Sequence, residues 1–511
     1  MANRDTRATW NYHDGTKHPG GPLMSPHHRY DPMRNPLPFK IYEDLDPIPL
    51  SLDVPLTGVP ALSAIATHVS PTPEGQVPDI AAITRILHFS AGITKKLRSV
   101  RGDMPFRAAA CTGALYHIEL YLVCGDLSGL DAGVHHFDPG ESALRLLRKG
   151  DYRSALVDAS GNEPAVANAP AILVYTDVFW RNAVKYQARE YRHAFWDSGT
   201  IIANTLATAA ASILPAKVVT GFVDDTVNQL LSLDAQREVA LALVPIGYAP
   251  EVITGAPPEI GPLELKTTPV SDFEVDFPAI REMHQASSLA SRGEVVAWRE
   301  ELHANSVTAT SVPRIPIELQ APGALPTDPV ETVITRRGST REFSRDSVTF
   351  SELSTILERA SHKIPADFLA PQGDALTDLY LIVNEVDGLR SGSYAYQRDG
   401  QTLEVIREGE FRPEAGQLAL GQALGADASV NLYFMAHLEP ILNRLGNRGY
   451  RAAQLEASIT AGRIYLAAYA LGLGATGLTF YDDAVTDFFS PHAEGKSAMF
   501  LMAVGRRTRR R

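Results

Sequence analysis

Apolar and polar positions along the chain predict short buried strands separated by helices. Residues 115–123 (LYHIELYLV) form an aromatic and apolar run that is typical of a strand, and residues 240–247 (ALALVPIG) and 498–505 (AMFLMAVG) predict two more. Helices rich in small apolar residues are predicted after Tyr191 and after Tyr450. Helices and strands alternate within the same regions, which predicts an α+β fold.

The chain repeats itself at a nearly constant spacing. The strand sequence IELYLV at 118–123 returns as TDLYLI at 377–382, and the pair YR at 191–192 returns at 450–451, both 259 residues later. The segment GFVDDTV at 221–227 returns as TFYDDAV after 258 residues. A register kept over about a hundred residues indicates a duplicated domain, which we expect to fold like a covalently joined dimer with an approximate two-fold axis.

This repeat divides the chain into four parts. We expect one copy at 56–255 and a second at 325–511. Between them, 256–324 is predicted to hold one helix, at 277–302, and a Pro-rich connector. Residues 1–55 are polar and rich in His, Pro and Tyr, and they predict an extended N-terminal arm.

Composition excludes several classes of function. The chain has 47 Lys and Arg against 59 Asp and Glu, a net charge of −12, which argues against nucleic acid or an anionic membrane as the main partner. Two cysteines exclude a disulfide scaffold and a four-Cys metal site. Four histidines in the arm are weak evidence for a metal, and we expect none: His13, His18, His27 and His28. Nothing reads as a signal peptide or membrane span, so we expect a cytoplasmic protein.

Two clusters of polar residues carry candidate chemistry. Arg337, Ser339 and Arg341 alternate, so in an extended segment they point to one side, where two guanidiniums and a hydroxyl suit a phosphate. A solvated basic loop is the alternative. Lys185 and Tyr186 are a candidate base and acid if burial shifts their pKa values, and a charged helix start is the alternative.

Two glycine-containing segments are candidates for contact with a flat ligand. Around Gly113, the small residues of RAAACTGAL let backbone approach closely, although a tight turn explains them equally well. The segment 474–480 (GATGLTF) reads as a glycine-rich helix exit, and a plain helix C-cap is the alternative.

Taken together, these motifs resemble the nitroreductase-like flavoproteins, and more closely the tandem SagB/ThcOx-type dehydrogenases. The N-terminal YHxxTKH, LHFSAGIT, HHFDP and GFVDD are similar to that group's first copy, and RRGSTREF and GLTFYDD to its second. The resemblance implies a nitroreductase-like fold duplicated in one chain as a pseudo-two-fold dimer, with FMN bound between the copies.

The same resemblance implies roles for particular residues. The phosphate and ribityl chain would be held by Arg337, Ser339, Arg341 and a terminal arginine, Arg506 or Arg507. The strip beside the flavin ring would be Gly477, Leu478 and Thr479. The loop from the other copy would be Cys111, Thr112 and Gly113, with Ala110 and Cys111 in place of the usual Pro and Ser. Lys185 and Tyr186 match a KY motif assigned to proton chemistry in azoline dehydrogenases.

The two copies differ at these positions. Copy one reads ATHVSPTPEGQ where copy two has R-x-S-x-R, and copy two has residues 370–373 where copy one has its small-residue loop. Copy two also has Arg444-Leu445 in the register of Lys185-Tyr186. Because a phosphate is poorly held without cationic donors, we expect one FMN per chain.

The resemblance favours an FMN-dependent dehydrogenase that takes a hydride from a carbon next to N, O or S, with an azoline-type heterocycle, possibly in a modified peptide, as substrate. The first alternative is an NAD(P)H-dependent nitro or quinone reductase on the same fold. A non-enzymatic binding or assembly protein with a degenerate flavin site is the second. An oligomer is allowed but not required, since one chain holds both halves of the site.

Overall fold

A computed structural model describes residues 2–18, 30–31, 34–99, 102–301, 314–370 and 375–508. Each copy contributes one large antiparallel sheet. The strands of the first copy are β1 (Pro47–Pro49), β2 (Ile93–Ser99), β3 (Gly102–Arg107), β4 (Ile118–Cys124), β5 (Gly133–Asp138), β6 (Ala143–Lys149), β7 (Ala171–Val178) and β8 (Glu238–Ile246). Those of the second are β9 (Arg314–Pro316), β10 (Val348–Thr349), β11 (Asp378–Val383), β12 (Val386–Asp387), β13 (Gly392–Gln397), β14 (Thr402–Glu408), β15 (Val430–Ala436), β16 (Gly474–Leu478) and β17 (Ser497–Gly505).

Helices cover these sheets and join the two copies. In the first 300 residues they are α1 (Arg7–Gly15), α2 (Ala61–Ala64), α3 (Ile80–Ala91), α4 (Arg153–Ala159), α5 (Pro164–Ala167), α6 (Phe179–Tyr186), α7 (Glu190–Ala211), α8 (Asp224–Leu230), α9 (Pro278–Ala286) and α10 (Arg292–Glu300). In the rest they are α11 (Val330–Arg336), α12 (Phe350–Ala360), α13 (Arg412–Leu418), α14 (Ala423–Asp427), α15 (Leu438–Leu445), α16 (Arg448–Ala470) and α17 (Asp482–Phe489).

The two sheets have matching strand order and register. The first sheet has the strand order β1-β6-β5-β4-β7-β8, and the second has the order β9-β14-β13-β11-β15-β17-β16. The two orders match strand for strand, and β16 is an additional strand at the edge of the second sheet. Leu122 pairs with Leu173 across the first sheet, and Leu381 pairs with Leu432 at the equivalent place in the second. The predicted α+β duplication, with its two-fold relation between copies, is confirmed.

The long helices α7 and α16 form the centre of the pseudo-dimer. A Cβ added to Gly199 would lie 2.5 Å from the Ser458 side chain, and one added to Gly462 would lie 2.5 Å from the Ala203 side chain. Small residues at both positions therefore let the two helices pack closely. The Trp196 indole donates a 2.6 Å hydrogen bond to Gln454 across this contact.

Two buried ion-pair clusters link the copies reciprocally. Asp482 of copy two accepts hydrogen bonds from Arg192 at 2.6 Å and Arg189 at 3.0 Å. At the equivalent position in copy one, Asp224 accepts hydrogen bonds from two arginines of copy two, Arg448 at 2.7 Å and Arg451 at 2.8 Å. The Asp-Asp motif found in both repeats therefore closes the interface between them.

The N-terminal region departs from the expected extended arm. Residues 7–15 form α1, in which Tyr12 and His13 are buried. Its polar residues are buried because they serve the ion-pair cluster: the His13 carbonyl accepts from Arg192 at 2.6 Å, and the Thr16 hydroxyl accepts from the same guanidinium at 3.0 Å.

Between the copies, two helices replace the single helix predicted at 277–302. Helix α9 ends at Ala286 because the hydroxyls of Ser287 and Ser288 donate hydrogen bonds to carbonyls of its last turn. Arg451 also donates hydrogen bonds of 2.7 Å to the His284 carbonyl and to the Ser287 hydroxyl. Ser291 then caps α10 through the Glu294 amide. The contacts of α9 with Arg451 repeat those of α1 with Arg192, so each copy is preceded by an equivalent helix.

We predict that Asp224→Asn lowers the free energy of unfolding by about 3–5 kcal/mol, because it leaves two buried arginines without a counter-charge. Burial raises the pKa of Asp224, but the charges of Arg448 and Arg451 outweigh burial and lower it to about 2. The stabilisation is therefore complete above about pH 4 and is lost as the pH falls towards about 2.

Urea unfolding at neutral and acid pH checks this prediction. The control is Glu408→Gln, which removes the partner of Arg390 in an exposed ion pair and should cost at most about 1 kcal/mol. Equal losses of stability in the two variants would contradict a structural role for the buried cluster.

Candidate active site between the two copies

The R-x-S-x-R segment runs extended from the end of α11 beside β16. The Thr340 amide donates to the Ala475 carbonyl at 2.9 Å, which fixes the segment against the strand. Arg337 reaches across to copy one, where its Nε and Nη2 donate to the Ala108 carbonyl at 3.0 and 2.8 Å. Ser339 lies 3.3 Å from the Tyr465 hydroxyl. The segment and the small-residue loop of the other copy therefore meet, as the sequence predicts.

Copy one places its small-residue loop and the Lys-Tyr pair together. Thr112 is held by Asp197, which accepts from its amide and from its hydroxyl at 2.8 Å each. Gly113 has φ +66°, and a Cβ at this position would lie 2.9 Å from the Tyr186 hydroxyl. A glycine here allows both the left-handed backbone and the close approach of Tyr186.

Lys185, at the end of α6, lies over the rings of Tyr186 and Tyr30, and the charge of Arg341 acts on it. Its Nζ lies 5.1 Å from the ring centre of Tyr186 and 5.4 Å from that of Tyr30. Burial and then the charge of Arg341 lower the pKa of Lys185. Burial, followed by the charges of Asp197 and the Cys111 thiol, raises the pKa of Tyr186. The pair thus consists of a more acidic ammonium and a firmly protonated phenol.

The glycine-rich segment after α16 is a strand, not the helix exit predicted from sequence. It forms β16 because its backbone pairs with β17, with Gly477 opposite Met502. The Gly477 amide donates to the Tyr465 hydroxyl at 2.7 Å, and a Cβ on Gly477 would approach Phe500 to 3.1 Å. Leu478 is buried, and Thr479 is partly exposed at the end of the strand.

The structure distinguishes the two terminal arginines. Arg506 faces α12, where its guanidinium donates to Glu352 at 2.8 Å and to the Ser347 carbonyl at 3.1 Å. Arg507 packs instead over the ring of Tyr469, whose hydroxyl lies 3.3 Å from Thr340. Arg507 therefore lies beside the R-x-S-x-R segment, and Arg506 lies outside the site.

His18 also lies at this site, although the sequence analysis assigned it no role there. Its Nε2 lies 2.9 Å from the Thr479 hydroxyl, and its amide donates to Asp482 at 2.9 Å. In the other half Leu289 donates the same backbone bond to Asp224, also at 2.9 Å. Burial, and then the charge of Arg189, lower the pKa of His18 to about 4, so the imidazole is neutral near pH 7.

The mirror position in the other half lacks the two arginines of the R-x-S-x-R segment. Pro60 and Pro329 face each other in a β-bridge that relates the two segments. His68 lies as many residues after Pro60 as Arg337 lies after Pro329, so these two positions are equivalent. By the same spacing, Thr72 is equivalent to Arg341.

The mirror position also holds a carboxylate. Asp367 accepts from the amides of Thr220 and Gly221 at 2.8 and 2.9 Å. A bridge between Val218 and Ala366 joins the loop of copy two to this strip. Residues 371–374, which include most of the loop predicted at 370–373, lie outside the described residues, as do His27 and His28.

The site between the copies is therefore asymmetric. One half brings together exposed Arg341 and Lys185, two like charges with no carboxylate ion-pair partner among the residues that the structure describes. Converging cations of this kind fit an anion such as a phosphate.

Comparison with known proteins identifies the family of both copies. The Nitroreductase family matches residues 81–248 and 334–506, which together exceed half of the chain. The chain belongs to the nitroreductase family. It carries two nitroreductase domains in tandem, as the resemblance implied, and it is an oxidoreductase at the level of that family.

Individual relatives cover different parts of the chain. A crystal structure of an Anabaena variabilis protein described as a nitroreductase has a TM-score of 0.76 and 25% identity, covering 98% of this chain and 99% of that one. A Methanocaldococcus jannaschii protein named as a nitroreductase is 30% identical over 188 residues, 35% of this chain and 91% of that protein.

The microcin B17-processing protein McbC of Escherichia coli is 31% identical over 137 residues, 26% of this chain and 50% of McbC. The chain thus aligns with half the length of McbC. Among the described residues, no helix is long and apolar enough to cross a bilayer.

We predict that Arg341→Ala raises the pKa of Lys185, because it removes a like charge that disfavours the ammonium. A lysine NMR titration, with the Lys185 signal assigned by its loss in Lys185→Arg, measures the change. The matched control is Arg345→Ala, since Arg345 pairs with Asp427 at the surface and should leave Lys185 unchanged. An unaltered pKa in Arg341→Ala would show that the two cations do not share a site.

Proposed function

We propose that this protein is an FMN-dependent dehydrogenase with one FMN site, formed where the second copy's R-x-S-x-R segment meets the first copy's loop. The hydrogen bonds of Arg337 to the Ala108 carbonyl carry the proposal, because they join the arginine segment of one copy to the small-residue loop of the other. The nitroreductase domains in both halves support a flavin, and the cationic groups here fit one.

Several residues have the donor chemistry to hold FMN. Those proposed for the phosphate and ribityl chain are Arg337, Ser339, Arg341 and Arg507. Those proposed for contact with the ring are Cys111, Thr112, Gly113, Gly477, Leu478 and Thr479. Arg506 is left out of this set, because its guanidinium is already bonded to Glu352.

When bound, FMN supplies a hydride acceptor at N5. Lys185 is the proposed base: burial and Arg341 lower the pKa of its ammonium, which reduces the cost of a neutral amine able to take a proton at Nζ. Tyr186 is the proposed hydrogen-bond donor, because its raised pKa keeps the phenol protonated. Lys185 thus removes the proton that accompanies hydride loss from the substrate.

An azoline-type heterocycle in a modified peptide is the proposed substrate. The similarity to a microcin-processing protein supports a peptide, and the exposure of Lys185, Gly113 and Arg341 leaves the site open to a large molecule. Dehydrogenation of such a ring removes a hydride and a proton from neighbouring atoms, which matches the proposed roles of FMN and Lys185.

A second candidate is an NAD(P)H-dependent nitro or quinone reductase. The names of the Anabaena and Methanocaldococcus relatives favour it. Stopped-flow mixing with NADPH separates the two functions: rapid flavin bleaching supports the reductase, and bleaching by a thiazoline peptide but not by NADPH supports the dehydrogenase.

We predict one FMN per chain and at least about tenfold weaker FMN binding in Arg341→Ala, because a charge-assisted bond to phosphate contributes about 1.5–3 kcal/mol. The flavin absorbance and the fluorescence titration of refolded apoprotein measure both quantities. Thr72→Ala is the matched control, since Thr72 occupies the mirror position and should not change the affinity. Two FMN per chain would contradict a single retained site.

We predict that Lys185→Ala and Tyr186→Phe each reduce turnover of a synthetic thiazoline peptide by at least about 100-fold. Both variants should keep their flavin absorbance, because neither residue is among the proposed phosphate ligands. Arg444→Ala, at the mirror position of Lys185, should retain wild-type turnover. Retained turnover in Lys185→Ala would remove the proposed base.

A further inference from the structure

A buried row of acid–base groups extends inward from the small-residue loop. The Cys111 thiol donates to Asp197 at 3.0 Å, and Asp197 lies 2.7 Å from His117 Nε2. On its other side, His117 Nδ1 lies 2.7 Å from Asp177 and 3.3 Å from Glu190. The separations among Cys111, Asp197, His117 and Asp177 are hydrogen-bond lengths, and Glu190 lies beside His117 as an ion-pair partner without a hydrogen bond. We call these five residues the His117 chain.

The His117 chain contains more carboxyls than cations. Among the described residues, no Arg or Lys forms an ion pair with Asp177, Glu190 or Asp197, so the imidazole of His117 is their only ion-pair partner. Both carboxyl oxygens of Glu190 and Oδ2 of Asp177 are buried without a hydrogen-bond partner. A buried excess of carboxylates is costly, and sharing protons relieves it.

Protonation within the chain follows from these surroundings. Burial, followed by the charge of Asp177, raises the pKa of Glu190 well above its usual value. Burial lowers the pKa of His117, but Asp177, Asp197 and Glu190 outweigh burial and raise it, so the ring is an imidazolium. With Glu190 protonated, the chain keeps one net negative charge and vacant carboxyl oxygens able to take a further proton.

The chain reaches the proposed FMN site through Asp197. This carboxylate holds Thr112 of the loop through three hydrogen bonds, and its charge acts on Tyr186. The other titratable side chains that face the chain are Tyr12, Tyr186 and His193. Burial raises the pKa of the two tyrosines and lowers that of His193, and it also raises the pKa of Cys111 within the chain, so none of these four groups ionises near neutral pH.

The equivalent positions of copy two do not form such a chain. They are occupied by Ala370, Leu376, Ala436, Gly449 and Glu456. Glu456 remains as a single carboxyl, which accepts from Thr377 and lies 3.8 Å from Arg398. The His117 chain thus occurs only in the copy whose loop and Lys-Tyr pair line the retained site, and no part of the shared fold requires it.

We propose that the His117 chain takes up one proton when the FMN site gains negative charge. This inference rests on the proposed function. In that reaction the substrate loses a hydride to N5 and a proton to Lys185, and a new double bond forms in its ring. Lys185 then passes this proton to the His117 chain and returns to the neutral amine. The hydride leaves one negative charge at the flavin, and the chain holds the substrate's second hydrogen as a proton. Dioxygen then takes hydride and proton together, giving hydrogen peroxide and the starting state.

The midpoint potential of the holoenzyme, measured between about pH 7 and pH 9, tests this proton uptake. Each proton taken up with two electrons shifts the potential by about 30 mV per pH unit. We expect two protons in the wild type, one at the flavin and one on the chain, and a single proton in Asp197→Asn and His117→Gln. Glu456→Gln, the mirror control for Asp197, should keep two.

A second measurement does not depend on variants. Reduction of the wild-type holoenzyme should produce a new carboxylic-acid C=O band in the infrared difference spectrum, because the extra proton resides on a carboxyl of the chain. The same proton count in wild type and Asp197→Asn, or the absence of that band, overturns the inference and leaves the proposed function standing. A protein that binds no FMN overturns both.

Discussion

Two buried aspartates, each held by two arginines of the other copy, are the interaction on which the structure depends. Asp224 and Asp482 begin equivalent helices, α8 and α17, and each lies at the interface with the long helix of the opposite half. Because an isolated buried charge is very costly, each half can bury its arginines only when the other supplies its aspartate. The two copies are therefore obliged to fold against each other, and every group at the candidate site is positioned by that contact.

This scaffold is symmetric, but the chemistry placed on it is not. In one half, Arg337 bonds to the small-residue loop of the other copy, and Arg341 follows it in the same segment. In the other, His68 and Thr72 stand at the equivalent positions, and Asp367 bonds to the amides of the equivalent strip. A carboxylate repels the phosphate that arginine would attract. Loss of the arginines at the second position thus follows from a few substitutions and needs no change of fold.

The sequence predicted the features that repeat and missed those that depend on contacts distant in the chain. The 259-residue register identified the duplication because equivalent strands keep the same alternation of apolar residues. Arg337, Ser339, Lys185 and Tyr186 were candidates from their residue types, but only the resemblance to a family assigned them roles.

Long-range contacts account for what the sequence did not predict. The N-terminal motif contains His18 but does not indicate its contact with Thr479, which lies 461 residues away. The sequence predicts an extended arm where α1 forms, because the polar residues of this region are buried only through their bonds to Arg192. The strip at Gly474–Leu478 reads as a helix exit until β17 is available to pair with it.

Charge balance separates the buried groups that serve structure from those that serve chemistry. The Arg–Asp clusters occur in both halves, and each aspartate has cations and hydrogen bonds enough to satisfy it. The His117 chain occurs in one half only, and its three carboxyls face one imidazole. Apolar residues at the equivalent positions, such as Leu376 and Ala436, show that the fold tolerates a simpler core. An unbalanced cluster that the fold does not require, placed against the open site, is expected where protons must be exchanged.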